Sequence, residues 1–558
     1  MDGLKMKSQA KKSKFAKVPS KTRRREKASY ELPNPLIYRL SDPGYTIYHR
    51  AALGGLAATV RAWQDEDNDV DPPAGIAATL TGDTVELSWA NGLPTKEVLR
   101  RILAASFKRT DEGLIELIGQ NIREDQRGLR LAVHDGVMKT FLQSKDSRRA
   151  EKKGTPYTIK SPDDDEPQIF MYQPVNSYFH QSADDKMKVV IKDGAARVEL
   201  MQWLIPGAQK GARALEASTP DAFLLLFLVV ASATFLIRPR DPKKNMHSCI
   251  VIPDVTDLRA FARSLHNIAG VGRGTERLTD SYLGHIVGGA EEAALRFLID
   301  LKAFDVTREK GVKGCLAITM TKVAWDKKQF NRSMIARLRD NYPELNVFLA
   351  ANQYLGGHRT HKNRKDETQV WLNNYVPALI AGNLAAEPKR HWCAKFNTLV
   401  NNEKDFKQML AKNVREGLRM IKEEVRDTDD QLIIDIFHKA WNRTMGAMGE
   451  RAEREGFDAS DLFSDRQERM RNEILRIKTS EQLATWFLRF CANATKGGPL
   501  PPLRKGEERV RAFIFNPRNF DRFQNLCLFA LLTYDKDQFT PKGDQTNGNQ
   551  LSVWNCSH

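Results

Sequence analysis

Ala222 to Ile237 reads AFLLLFLVVASATFLI, sixteen consecutive residues without a charge. A helix needs about twenty apolar residues to cross a bilayer, so this run falls short of a membrane span. It opens after Pro220-Asp221, a helix-start pattern, and closes at Arg238-Pro239-Arg240. The reading is a fully buried core helix, around which the chain must build a sizeable soluble body. With 558 residues, 41% of them hydrophobic and 28% charged, there is material for more than one domain.

Upstream of that run, His49 to Trp63 (HRAALGGLAATVRAW) places Leu53, Leu56, Val60 and Trp63 at helical spacing. Gly54 and Gly55 lower the helix propensity of this segment, which points to a close backbone approach by a neighbour. Ile76–Leu80 and Thr84–Trp89, separated by Thr81-Gly82-Asp83, read as a hairpin, and a helix capped by Thr95 follows to about Phe107. Gln168–Gln173 and Lys188–Asp193 are strand candidates bracketing Asn176-Ser177-Tyr178-Phe179-His180-Gln181. Downstream, Ser248–Pro253, Leu316–Met320 and Val347–Ala351 read as strands, and a helix starts near Thr256. From about Phe406, polar-apolar periodicity dominates over 406–425, 430–448, 465–478, 480–493 and 518–533. The expected fold class is α+β: an irregular mixed N-terminal body over 30–405, then a helical bundle over 406–558, preceded by a basic disordered tail over 1–29.

The formal charge of +17 makes polyanions the natural partners. Residues 1–28 hold eleven Lys/Arg, including Lys11, Lys12, Arg23, Arg24 and Arg25, against two acids, giving +9. Residues 313–410 hold sixteen against eight, giving +8, so these two stretches carry the whole excess. Concentrated basic regions suit phosphate contacts. The six cysteines form no Cys-x-x-Cys pair, which points to a reducing cytoplasm, and the basic N-terminus lacks the apolar segment of a secretory signal.

The sequence carries no recognisable catalytic constellation. There is no P-loop and no Gly-x-Ser-x-Gly elbow. Gly270-Val271-Gly272-Arg273-Gly274 lacks a third glycine in register and reads as a loop. His358 and His361 sit among Arg359, Lys362, Arg364 and Lys365, whose charges repel a metal cation, so this Gly/Arg/Lys-rich loop reads as a phosphate clamp. The acidic run Asp163-Asp164-Asp165-Glu166 is contiguous and reads as a solvated turn, since two-metal nucleases draw ligands from several elements. No metal, cofactor or catalytic residue is expected.

Three blocks, in order, carry a family resemblance. Tyr48-His49-Arg50-Ala51-Ala52-Leu53-Gly54-Gly55-Leu56 is the first. Ser177-Tyr178-Phe179-His180-Gln181 followed by Trp203-Leu204-Ile205-Pro206-Gly207-Ala208 is the second, and the apolar run into Arg238 with Ile250-Val251-Ile252-Pro253 is the third. The chain resembles the large subunit of type I CRISPR Cascade complexes, in the Myxan branch grouped with subtype I-B. The resemblance covers roughly residues 30–330 and, more loosely, the C-terminal part; the basic tail before Tyr30 has no counterpart in it. It implies a non-catalytic subunit that contacts CRISPR RNA and the other backbone subunits. Such a subunit senses the protospacer-adjacent motif in double-stranded DNA, promotes R-loop formation and recruits a separate helicase-nuclease. Guide pairing then reads the sequence, while the protein reads the short motif and the backbone. Two rival readings remain: a same-fold subunit recruiting transposition factors, and a stand-alone nuclease.

The residue types needed for these tasks can be located. Groove reading calls for Asn, Gln, Arg or Lys on a loop, with an aromatic wedge to hold a step open, and Asn176, Ser177, Tyr178, Phe179 and Gln181 supply them. The alternative for that loop is a hairpin turn with inward-packing aromatics. Arg359, His361, Lys362, Arg364 and Lys365, together with the tail cations, are the expected phosphate contacts. The bundle from Met420 to His558 is neutral, with 21 Lys/Arg and 21 Asp/Glu, but Arg466, Arg469 and Arg476 share a helix face that suits a displaced strand. Arg415-Glu416-Gly417 can be encoded by a ribosome-binding GGAGG stretch before Met420, so a free small subunit starting there is a further expectation.

Overall fold

The chain is described here by a computed structural model over residues 30–65, 70–141, 150, 153–159, 168–176, 191–192, 195–197, 216–237, 247–270, 286–301, 311–320, 332–335, 344–356, 359–362, 368–371, 375–386, 388–456, 459–494, 500 and 506–534. The first strand, β1 (Leu36–Arg39), leads into α1 (Ile47–Trp63). The expected hairpin is present as β2 (Ile76–Leu80) and β3 (Thr84–Trp89), closed by the Thr81 N–H on the Thr84 carbonyl at 2.9 Å. β1 adds to the other side of β3, with Val85 and Leu87 alternating into the core. The next helix, α2 (Thr95–Ser106), has Pro94 rather than Thr95 as its N-cap. Thr95 is its first helical residue, and its Oγ1 instead accepts the Leu32 N–H at 2.9 Å, pinning the entering segment. Phe107, expected to end that helix, opens β4 (Phe107–Arg109), which pairs with β5 (Ile115–Leu117) before α3 (Arg127–Lys139).

A second hairpin, β6 (Thr155–Ile159) and β7 (Gln168–Tyr172), packs Tyr157 and Tyr172 on Leu114 and Leu131 in a small cluster of its own. Of the strand candidate 188–193, Ile191–Lys192 is described as β8, pairing with β9 (Ala195–Arg197) and then β10 (Glu216–Ser218).

The apolar run is buried as expected, but it is not one helix. Ser218 caps α4 (Thr219–Leu224), a 3-10 turn spans Leu225–Phe227, and α5 (Leu228–Ala231) stops at Ser232. Ser232 is extended (φ −86°, ψ 145°), and its hydroxyl donates back to the Leu228 carbonyl at 2.8 Å. The chain then continues as β11 (Ala233–Ile237). Thr234, Phe235 and Ile237 are strand formers, and β12 (His247–Val255) supplies their hydrogen-bond ladder, so sheet pairing overrides continuation of the helix. Helix α6 (Leu258–Gly270) begins two residues after Thr256. β13 (Ile286–Val287), α7 (Ala290–Asp300), β14 (Val312–Met320) and β15 (Arg332–Ile335) complete a five-stranded sheet in the order β13-β11-β12-β14-β15.

α1 lies against this assembly, and every residue from Ala51 to Val60 is buried. The two glycines explain how. A Cβ on Gly55 would stand 2.2 Å from the Phe227 carbonyl oxygen, and one on Gly54 would stand 2.9 Å from both Phe261 and Val255. The close approach expected from the sequence is therefore backbone on backbone at Gly55.

Val347–Ala351, expected as a strand, lies inside α8 (Leu345–Leu355). Val347, Phe348, Ala351 and Leu355 are buried at helical spacing, a period that a five-residue apolar window is too short to reveal. A hairpin of β16 (Arg359–Lys362) and β17 (Thr368–Trp371) follows, then α9 (Val376–Leu384).

The remainder is helical. The expected segment 406–425 is two helices, α10 (Glu403–Met409) and α11 (Lys412–Glu423). Beyond them lie α12 (Thr428–Glu455), α13 (Ala459–Arg476), α14 (Ser480–Asn493), the unexpected α15 (Glu507–Ile514) and α16 (Phe520–Thr533). Asp427 caps α12 by accepting the Asp429 and Asp430 N–H groups, and Gly456, at φ +69°, ends it. No helix among the described residues is long and apolar enough to cross a membrane.

Body and bundle share one continuous core. At their seam, Asp430 is fully buried and accepts the Trp392 indole N–H at 2.9 Å and Arg522 Nε at 2.8 Å, with His391 Nε2 2.8 Å away. Trp392 stands edge-on to Phe529 at 5.0 Å. One carboxylate thus holds a body loop, α12 and α16 together.

Gly55→Ala is expected to destabilise the fold by about 3 kcal/mol, since a backbone atom blocks the new methyl. Gly446→Ala, in the exposed interior of α12 with nothing within 4 Å of its Cβ position, is expected to stabilise by about 0.8 kcal/mol. Chemical denaturation of both variants reads the contrast. In the same assay Asp430→Ala should cost about 3–5 kcal/mol by removing the acceptor of the Trp392 indole N–H and leaving Arg522 with Asp427 as its remaining carboxylate, and Asp430→Asn should cost less.

Candidate nucleic-acid interface

The expected reader loop leaves the β6–β7 hairpin at a built position. Gly113 is left-handed (φ +80°), and a Cβ there would stand 2.7 Å from Pro174. This lets the Val175 N–H reach the Gly113 carbonyl at 2.9 Å. His134 holds the same junction: its Nδ1 accepts the Ile115 N–H at 3.1 Å, and its Nε2 donates to the Gln173 carbonyl at 2.9 Å. Those two bonds fit the neutral ring, and burial lowers its pKa accordingly. The Tyr172 hydroxyl donates to the Glu112 carbonyl at 2.6 Å. Asn176, the next residue out, is half-buried, and its Oδ1 is buried without a hydrogen-bond partner among the described residues. The rest of the loop, Ser177, Tyr178, Phe179 and Gln181, lies outside the described residues. So do Trp203–Ala208, Lys11, Lys12, Arg23, Arg24, Arg25, the run Asp163–Glu166, and residues 271–274.

The second cationic stretch has a different local form from the one expected. Arg359, His361 and Lys362 are not in a loop but in β16, where Arg359 is opposite Trp371, Thr360 opposite Val370 and His361 opposite Gln369. Thr360, Val370 and Trp371 favour the strand, and the sequence window counted only glycines and cations. Arg364 and Lys365 fall between the two strands in sequence and His358 just before the first; all three lie outside the described residues.

On α13 the three arginines divide. Arg466 pairs with Glu473 at 2.8 Å and stands 5.9 Å from the Trp441 ring centroid, so it is engaged with the bundle itself. Arg469 and Arg476 are exposed, and neither has an ion-pair partner among the described residues. Seven residues separate them, roughly 10 Å along the helix axis. Arg471, which the pattern does not distinguish from its neighbours, is buried, with its guanidinium 4.9 Å from the Phe406 ring.

One arrangement was not legible in the sequence. Cys393 Sγ stands 3.1 Å from His391 Nδ1, and His391 Nε2 stands 2.8 Å from Asp430, a nucleophile-base-acid order. The chemistry does not follow the order. Cys393 is fully buried, and its thiol is pushed well above the ordinary range, first by burial and then by Asp430. An attacking cysteine needs an accessible thiolate. Asp430 is moreover committed to Arg522 and Trp392, so the group is a seam of the fold. The other four described cysteines are also free and buried, and no three His, Cys, Asp or Glu side chains among the described residues converge as a metal site.

Comparison with known proteins supplies the frame for these features. Residues 37–226 match the DevT N-terminal domain, and residues 422–552 match the DevT C-terminal domain. The chain is 25% identical over 539 residues to the CRISPR-associated protein Cas8a1/Csx13 of Myxococcus xanthus (strain DK1622), covering 90% of this chain and 89% of that one. The N-terminal match contains α1 with its glycines and ends within the apolar segment, at Leu226, and the C-terminal match contains α12 to α16. With both domains present in order, and similarity along nearly the whole of each chain, the protein belongs to the Myxan-branch family of CRISPR-associated large subunits.

Proposed function

We propose that this chain is the non-catalytic, DNA-sensing large subunit of an RNA-guided Cascade-type surveillance complex. The observation that carries the reading is the ordered pair of DevT domains, together with similarity to a CRISPR-associated protein along 90% of the chain. The charge distribution supports it, since the whole excess of +17 falls in residues 1–28 and 313–410. In this reading residues 30–405 form the body that meets the guide-handle end and senses the protospacer-adjacent motif. Asn176, Ser177, Tyr178 and Gln181 contact the motif. Arg359, His361, Lys362, Arg364 and Lys365 contact phosphates, as do Lys11, Lys12 and Arg23–Arg25 of the 1–29 tail. The 406–558 bundle lies along the displaced strand, with Arg469 and Arg476 presented to it and Arg466 fixing the helix that carries them. The complex acts in the cytoplasm, and a separate helicase-nuclease cuts.

A free small subunit beginning near Met420 would start inside α11. It would keep α12 with its own cap at Asp427, but it would lack His391 and Trp392, leaving Asp430 paired with Arg522 alone.

The test is binding of the assembled complex to duplexes carrying randomised flanking motifs. Motif-dependent binding should require the guide RNA. Asn176→Ala or Gln181→Ala should flatten motif preference, by about 1–3 kcal/mol at the position read. Arg469→Ala with Arg476→Ala should weaken all duplexes alike and lower the salt dependence. Equal motif preference in wild type and the Asn176 and Gln181 variants would remove the assigned reader.

A further inference from the structure

The N-terminal sheet, in the order β1-β3-β2, ends on β2, and no further strand pairs with β2 among the described residues. Hydrogen-bond parity fixes which main-chain groups that end presents. The Thr81 N–H bonds the Thr84 carbonyl at 2.9 Å, so antiparallel alternation makes Thr79 and Ala77 the residues that bond across to Glu86 and Ser88. On the other side of β3 the Leu40 N–H meets the Asp83 carbonyl at 2.9 Å, which gives the same parity. Ile76, Ala78 and Leu80, with Ala74 just before them, therefore direct their N–H and C=O groups away from β3, to the free edge. A row of this kind is a template for another strand.

The row is not left open. The Leu80 carbonyl accepts Nε and Nη2 of Arg259 at 3.0 and 2.7 Å, a charge-assisted fork. The Ala78 carbonyl accepts Nε2 of Gln64 at 2.9 Å, and the Ala74 carbonyl accepts Nη1 of Arg101 at 2.9 Å. The Ile76 N–H turns back to the Pro73 carbonyl at 3.1 Å. The three side chains come from three helices: Gln64 caps the end of α1, Arg101 lies in α2, and Arg259 lies in the first turn of α6. That turn is itself fastened to the hairpin, since the Leu258 N–H bonds the Gly82 carbonyl at 2.6 Å. Gln64 and Arg259 are exposed, so core burial does not account for where their polar ends lie. A pairing strand would have to run about 4.8 Å from β2, through the space these side chains occupy. We propose that Gln64, Arg101 and Arg259 form a seal that closes β2 against strand addition. The strand it excludes is the β2 of a second copy of this chain. Centred on Ala78, the edge is complementary to itself, with Ile76 of one copy facing Leu80 of the other about a two-fold axis. The seal follows from the hydrogen bonds of the fold and is independent of the assembly proposed above.

Sedimentation velocity of the full chain over a range of concentrations tests it. Gln64→Ala with Arg259→Ala should tighten self-association over wild type by about tenfold or more, with the melting of the dilute chain close to that of wild type. Each single substitution should shift association in the same direction by less. Adding Ala78→Pro to the double variant removes the outward N–H that reciprocal pairing needs and leaves the ladder to β3 intact, so it should restore the wild-type behaviour. Association no tighter in the double variant than in wild type would overturn the seal. So would association that Ala78→Pro fails to reverse, which would place the contact on another surface. A large loss of melting temperature in the double variant would also overturn it, because Gln64 and Arg259 would then be holding the fold together and not closing an edge.

Discussion

The main core of the N-terminal body closes on a contact with no room for a side chain. The backbone of α1 at Gly55 meets the Phe227 carbonyl so closely that a methyl would stand 2.2 Å from the oxygen. Two apolar segments far apart in sequence are thereby locked together, and the sheet, α6 and the N-terminal hairpin close over them. Burying each large apolar side chain there contributes about 1.5–3 kcal/mol. Those contributions are realised only if the two backbones approach this far. The glycines cost helix propensity locally and are retained because the packing they permit is worth more.

A second constraint governs the C-terminal half. A buried carboxylate is tolerable only if it is well paired, and Asp430 meets that condition through Arg522, Trp392 and His391. Asp430 and its partners come from three separate segments, so ordering one orders the others. The bundle is therefore fastened to the body by a polar knot set within a continuous core. Under the proposed function, with DNA sensed by the body and a displaced strand along the bundle, such a connection would hold the two surfaces in fixed relation.

Much of this was legible in the sequence, for identifiable reasons. The hairpin at 76–89 could be read because alternation and turn residues agree, and the glycine pair in α1 because a helix tolerates it only under close packing. The apolar run 222–237 was correctly placed in the core but misassigned at its end. Hydrophobicity reports burial, whereas the change from helix to strand at Ser232 depends on pairing with β12, which lies outside the apolar run itself. Val347–Ala351 failed for the opposite reason, since five apolar residues carry no period. At the candidate site, the cations on α13 were visible as a spacing. The pairing of Arg466 with Glu473, and the burial of Arg471, depend on neighbours that spacing does not reveal. The His391–Asp430 seam was beyond reach because its members are brought together only by tertiary packing.

The central claim is that this chain works as a subunit of an RNA-guided assembly and not as an independent nucleic-acid enzyme. The most direct measurement is native mass spectrometry of the chain purified after co-expression with its neighbouring gene products, in the presence and absence of CRISPR RNA. The account predicts a defined particle containing this chain, other protein subunits and one guide RNA. It also predicts that the chain purified alone neither cleaves DNA nor prefers any motif. A chain that remains monomeric beside those products and cuts DNA unaided would contradict the account.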